Sequence, residues 1–155
     1  MGDQLSTAPL HSKLVTASAR KVLRPLGLLQ KGRSRIWLDD HEWWLGVVEF
    51  QPSAWARGSY LNVGCMWLWD VKQHISFDVG GRVEPFARFH DDAQFEGLAD
   101  TLAEHAAKEV IQYRSRFPNL LEVCEYYLSF PPEGLWSTFH AAVACALSRQ
   151  VGAGG

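Results

Sequence analysis

A chain of 155 residues, 47% apolar and 21% charged, has the proportions of a folded domain, which excludes an intrinsically disordered chain and leaves enough length for one core. No apolar run approaches the roughly 18 residues of a spanning helix, so no membrane association is expected. The net charge of -2 conceals an uneven spread: six of the fifteen basic residues fall between Arg20 and Arg35 with no acid among them, whereas Glu84 to Glu133 holds ten acids against four bases. Such polarity steers charged partners, although a solvated helix face or a charged sheet edge is its commoner meaning.

The N-terminal MGDQLSTAPLHSK lacks the basic and apolar stretches of a secretory signal, so a cytoplasmic protein is expected. A first helix is predicted from Pro9 to Leu23. Proline suits a first helical turn, Val15, Ala19, Val22 and Leu23 recur at helical steps, and Pro25 and Gly27 end the pattern. The period then changes. Four strands are predicted over 34–39, 42–51, 59–69 and 73–79, with Asp39-Asp40-His41 as a hairpin turn between the first two.

Alternation along the third strand places Leu61, Val63, Cys65, Trp67 and Trp69 on one apolar, core-facing row. The opposite face carries Tyr60, Asn62, Gly64, Met66 and Leu68, joined by His74, Ser76 and Asp78 of the fourth strand. Trp43 and Trp44 are adjacent and point opposite ways, which leaves one of them outside the main core. A face that mixes aromatic, amide, imidazole and carboxylate groups can hold a ligand or a partner strand, and it can equally be a solvated sheet face.

After Gly80-Gly81 a connection runs to about His90, and the rest reads as helix. Phe95, Leu98, Leu102, Ala106, Val110, Tyr113 and Phe117 describe an amphipathic helix over residues 92 to 116, expected to pack on the apolar sheet face. A second helix follows over 119–128, and a third begins near Ser137. Residues 1–150 are read as a single domain, with a disordered glycine-rich tail over 151–155. Cys65, Cys124 and Cys145 are odd in number, widely spaced and without a CxxC pair, so three reduced thiols are expected.

Two acidic clusters invite a metal reading. In FHDDAQF (Phe89 to Phe95), Asp91 or Asp92 suits a helix cap, with Gln94 three residues after Asp91 in capping-box spacing. In DDHE (Asp39 to Glu42) a hairpin turn needs those residue types. The zinc-protease, deaminase and EF-hand patterns are missing, as are the nucleophile elbow and the phosphate-binding glycine loops. Gln51 and Asn62, amides near strands, suit the tying of a loop's backbone groups.

The stretch LRPLGLLQKGRSRIW (Leu23 to Trp37), followed by VVEFQPSAW and SYLNVG, resembles an uncharacterised bacterial family, domain of unknown function 4304. The likeness rests on an N-terminal helix, a glycine-containing basic link, a strand ending in Gln51, and the pattern aromatic-x-Asn-x-Gly at Tyr60 to Gly64. It covers roughly residues 10 to 115, and it departs from the family's pattern at Leu28, where an aromatic residue is expected. The resemblance implies an antiparallel sheet with flanking helices, and no activity or catalytic residue to transfer.

The expectation is therefore an α+β fold: one helix, a four-stranded, mainly antiparallel sheet, then two or three helices packed on one sheet face. The expected function is a non-catalytic binding module that engages a protein or a small molecule through the exposed sheet face or edge. Trp44, Tyr60, Asn62, His74 and Asp78 are its candidate residues. A metal-dependent hydrolase using His74, Asp78, His90 and Asp91 is the competing reading. Nucleic-acid binding through Arg20 to Arg35 is the third and weakest, since a recognised reading motif is absent. No catalytic residue, metal, cofactor or oligomeric state is assigned.

Overall fold

The computed structural model describes residues 9–152. The chain divides into two compact units, one ending at Ile111 and the other beginning at Gln112.

In the first unit, α1 (Leu10–Leu23) starts just after Pro9, whose carbonyl accepts from the Ser12 and Lys13 amides at 2.9 and 3.2 Å. Its buried residues Val15, Ser18, Ala19 and Leu23 share one face, and Arg20 and Lys21 in the last turn complement the helix dipole. A short 3-10 turn, Arg24–Leu26, ends at Gly27, whose φ of +93° only glycine adopts at little cost. Five strands follow: β1 (Leu29–Gln30), β2 (Ile36–Asp40), β3 (Trp44–Gln51), β4 (Gly58–Trp67) and β5 (Val79–Arg88). They form one antiparallel sheet in chain order.

Register decides which side chains make the core. The pairs Trp44↔Trp67, Val48↔Val63 and Phe50↔Leu61 lie on one face, with Trp37 opposite Val48. None of these side chains is more than 2% exposed. Leu61, Val63, Cys65 and Trp67 form the expected core row; Trp69 lies beyond the end of β4 and is half-buried.

The sheet has five strands rather than the expected four, and residues 73–79 are not one of them. The last strand is Val79–Arg88, which the sequence presented as a connection. Gly80, Gly81 and Pro85 look like breakers, yet all three are tolerated on a strand at the sheet's edge. Register shifts between Ser59 and Leu61 and between Leu61 and Asn62 absorb the irregularity.

The segment before β5 instead folds onto the second sheet face. A Cβ on Gly64 would stand 2.1 Å from the Val79 carbonyl oxygen and 2.7 Å from Cδ1 of Phe77, so only glycine admits this approach. Val47, opposite Gly64, is fully buried, and Met66 is 5% exposed. Much of the face expected to meet solvent or a ligand is covered by the chain itself.

The long helix α2 (Asp92–Arg116) spans the expected residues and crosses from the first unit into the second. Asp91 caps the helix by accepting from the Gln94 amide at 2.9 Å, and the Gln94 side chain reaches back past the cap to accept from the His90 amide at 3.0 Å, one residue short of the expected capping box. Within the first unit α2 buries Phe95, Ala99, Leu102, Ala103, Ala106 and Val110. A close contact between His105 Nδ1 and the Glu84 carboxylate ties it to β5, and Ser18 of α1 donates to Asp100 at 2.7 Å.

In the second unit, Asn119 caps α3 (Leu120–Leu128) by accepting from the Glu122 amide at 3.0 Å. α4 (Gly134–Gly152) starts three residues before the expected Ser137 and takes in Val151 and Gly152; the rest of the expected tail lies outside the described residues, as does the N-terminal stretch up to Ala8. Cys124 and Cys145 form a disulfide between α3 and α4, so the expectation of three reduced thiols is wrong for two of them. Cys65 is buried and takes no part in a disulfide. The pairing escaped sequence reading because 21 residues separate two cysteines that only helix packing brings to a Cα separation of 4.8 Å.

Candidate functional site

The part of the second sheet face left open lies at the end of β3, the start of β4 and the adjoining part of β5. Antiparallel pairing puts Gln51 beside Tyr60, Glu49 beside Asn62, and Asn62 beside Arg82. Asn62 donates from Nδ2 to Glu49 Oε2 at 3.0 Å and to Gln51 Oε1 at 2.9 Å. Arg82 donates from Nε to Asn62 Oδ1 at 3.3 Å and from Nη2 to Gln51 Oε1 at 2.9 Å. Gln51 and Asn62 were expected to hold backbone groups, and they hold each other and Arg82 instead.

The Arg82 guanidinium carbon lies 3.7 Å from the centroid of the Tyr60 ring, a cation–π contact, and Tyr60 meets Phe86 at 4.8 Å. Arg82 is exposed and forms no ion pair among the described residues. Its hydrogen bonds on one edge and the ring beneath it hold the charge in a fixed place. A planar cation so restrained loses little freedom on meeting a carboxylate or a carbonyl.

The loop that joins β3 to β4 springs from the Gln51↔Tyr60 pair and carries Trp55, which is 97% exposed. The Trp55 amide donates to Ser53 Oγ at 3.1 Å, and the Arg57 carbonyl accepts from the Phe89 amide at 3.0 Å, tying the end of the loop to the chain beyond β5. An indole held almost wholly in water has no packing role in its own unit.

The candidate residues fare differently. Tyr60 and Asn62 are brought together in this cluster. Trp44 does not belong to it: the indole is 2% exposed, stacked under the His41 ring at 4.2 Å and edge-on to Trp67. The β3 register sends Trp44 to the core face, and the half-buried Trp43 stacks against Trp67 and Trp69.

Asp78 serves the fold. Its Oδ2 accepts from the Trp67 amide at 2.8 Å and its Oδ1 pairs with Lys72 Nζ at 2.6 Å, pinning the 68–78 segment to the end of β4. His74 is exposed on that segment and lines a cavity of about 400 Å³ with Lys31, Ile36, Met66 and Lys72. With Asp91 serving as a helix cap, the residues His74, Asp78, His90 and Asp91 are not gathered into one metal-holding group among the described residues. In DDHE, Asp39 pairs with His41 at 2.7 Å and Asp40 accepts from the Glu42 amide at 2.9 Å, as a tight turn requires.

No family model, curated protein or solved structure matches this chain.

Trp55 is the site residue that sequence reading missed. A signal existed: in QPSAWARG the indole is flanked by Pro52, Ser53 and Gly58 and has no alternating apolar partners, so no core row can claim it.

Proposed function

We propose that this protein is a non-catalytic binding module that engages a protein partner through Trp55, Tyr60 and Arg82 at the open end of the second sheet face. The observation that carries this reading is the 97% exposure of Trp55 on the loop emerging beside the Tyr60–Arg82 pair. Trp, Tyr and Arg are the residue types that dominate binding energy at protein interfaces, each coupling a large contact area to a directed polar group. Phe86, half-buried, extends the apolar ground on which a partner would rest. The face is favoured over the edge because β5 carries Pro85 and register shifts against β4, which blunt strand addition. Membership of the family called domain of unknown function 4304 forms part of the proposal and adds no residue role. Its aromatic-x-Asn-x-Gly pattern coincides with Tyr60, the Asn62 network and the close approach at Gly64.

The test is affinity capture from the source cells with the wild-type chain and with Trp55→Ala and Arg82→Ala, followed by measurement of Kd for any protein retained. Truncating an interface tryptophan or arginine of this kind costs about 2 to 4 kcal/mol, so affinity should drop about 30-fold or more in each variant. Trp55 packs against nothing in its own unit, and thermal unfolding of Arg82→Ala checks that losing its bonds to Asn62 and Gln51 leaves the fold in place. If both variants retain the same partner with unchanged affinity, the placement is wrong.

A further inference from the structure

The sequence stretch from Arg20 to Arg35, basic and free of acids, is not used by the reading above. Folding gathers part of it. Lys13, Thr16, Ala17 and Arg20 recur at three- and four-residue steps along α1 and so share a face, and Arg33 and Arg35, from the link into β2, stand opposite. Together with Ser12 they line a concavity of about 450 Å³. Four of these residues are cationic, and none of the described lining residues is acidic.

Arg35 is the anchored member. Its Nη1 donates to the Phe50 carbonyl at 3.4 Å and its Nη2 to Ser12 Oγ. Burial draws its pKa down from the ordinary arginine range, and it pairs with no carboxylate among the described residues. His11, next along α1 from Ser12, is also held below its ordinary pKa, first by burial and then by the charges of Arg35 and Arg57. Positive potential therefore accumulates at this end of α1. Lys13, Arg20 and Arg33 are exposed and form no ion pair or side-chain hydrogen bond among the described residues.

We propose that this concavity is a binding site for a compact anion carrying two phosphate groups. Clustered cations repel one another until an anion enters. Guanidinium groups match phosphate oxygens in planar, paired hydrogen bonds, the lysine adds a point charge, and the Ser12 and Thr16 hydroxyls supply neutral donors. Four cations exceed what one phosphate neutralises. No aromatic ring lines the concavity among the described residues, so a base would find nothing to stack on, which favours a phosphate-bearing small molecule over a nucleic acid. Its volume falls within the range of small-ligand sites. The site is separate from the Trp55 face and does not depend on the reading given there.

The experiment is a calorimetric titration, with thermal unfolding in parallel, of the full chain with inorganic pyrophosphate in magnesium-free buffer near physiological salt. The proposal expects saturable binding and a Tm higher by about 4 °C or more at a hundredfold excess over Kd. Inorganic phosphate should bind at least about tenfold more weakly, and Arg20→Glu and Arg33→Glu should each weaken pyrophosphate about tenfold or more, while Lys108→Glu, an equal charge change on α2, should leave it within about twofold. Arg33→Ala serves if a charge reversal disturbs folding. The proposal is overturned by no response up to about 10 mM pyrophosphate, by equal affinity for phosphate, or by an equal loss in Lys108→Glu. A short DNA duplex that binds where pyrophosphate does not would replace it with the nucleic-acid reading.

Discussion

Gly64 shows how a single side chain, or its absence, decides the use of a whole face. It lies mid-strand, where glycine ordinarily weakens a sheet, and its role is to admit the Val79 carbonyl and the Phe77 ring. Because a backbone oxygen cannot step aside as a flexible side chain can, Gly64→Ala is expected to cost about 3 kcal/mol, read as a lower urea midpoint. An unchanged midpoint would mean that the 68–78 segment does not close down on β4. His11 sets a pH dependence of known sign. Its folded pKa lies below the unfolded value near 6.5, so the unfolded chain binds more protons, and stability present above that pH is lost as pH falls through it. His11→Gln should flatten the fall in Tm between about pH 7.5 and 5.5, and a slope equal to that of the wild type would contradict this. The neighbouring tryptophans 43 and 44 make the complementary point. Alternation requires them to diverge, yet only the register Trp44↔Trp67 says which enters the core.

The elements whose periodicity is strong and uninterrupted were the legible ones. α2 could be read to the residue because its apolar positions recur over seven turns and Asp91 and Gln94 announce its start. β3 and β4 were legible within one or two residues. β5 was not, because Gly80, Gly81 and Pro85 remove both the alternation and the propensity that mark a strand, and its pairing with β4 is what makes it one. The α3–α4 pair buries Val123, Tyr127 and Ala144, leaves Leu128, Leu135 and Trp136 exposed, and is cross-linked by its disulfide. Closing a loop of 21 residues is worth about 3 kcal/mol in chain entropy, so reduction, or Cys124→Ser with Cys145→Ser, should speed amide hydrogen exchange in residues 120–152. Unaltered exchange there would show that the helices hold without the bond.

At the scale of the molecule, the α+β class and the antiparallel meander follow from the order of periods along the chain: helix, strands, helices. No helix of the described residues is long and apolar enough to cross a membrane. Composition and spacing alone determined that there would be an N-terminal helix, a β-rich middle, a long capped helix from Asp92 and a tryptophan-lined core, because each depends on local period and on burial that any compact packing would produce. Only the tertiary structure decided the fifth strand, the covered second face, the Cys124–Cys145 link, the exposed Trp55 beside Tyr60 and Arg82, and the cationic concavity of Lys13, Arg20, Arg33 and Arg35. Each of these is a meeting of residues far apart in the chain or a loop's emergence from a particular strand pair. Register and chain path settle such meetings, and local period does not encode them.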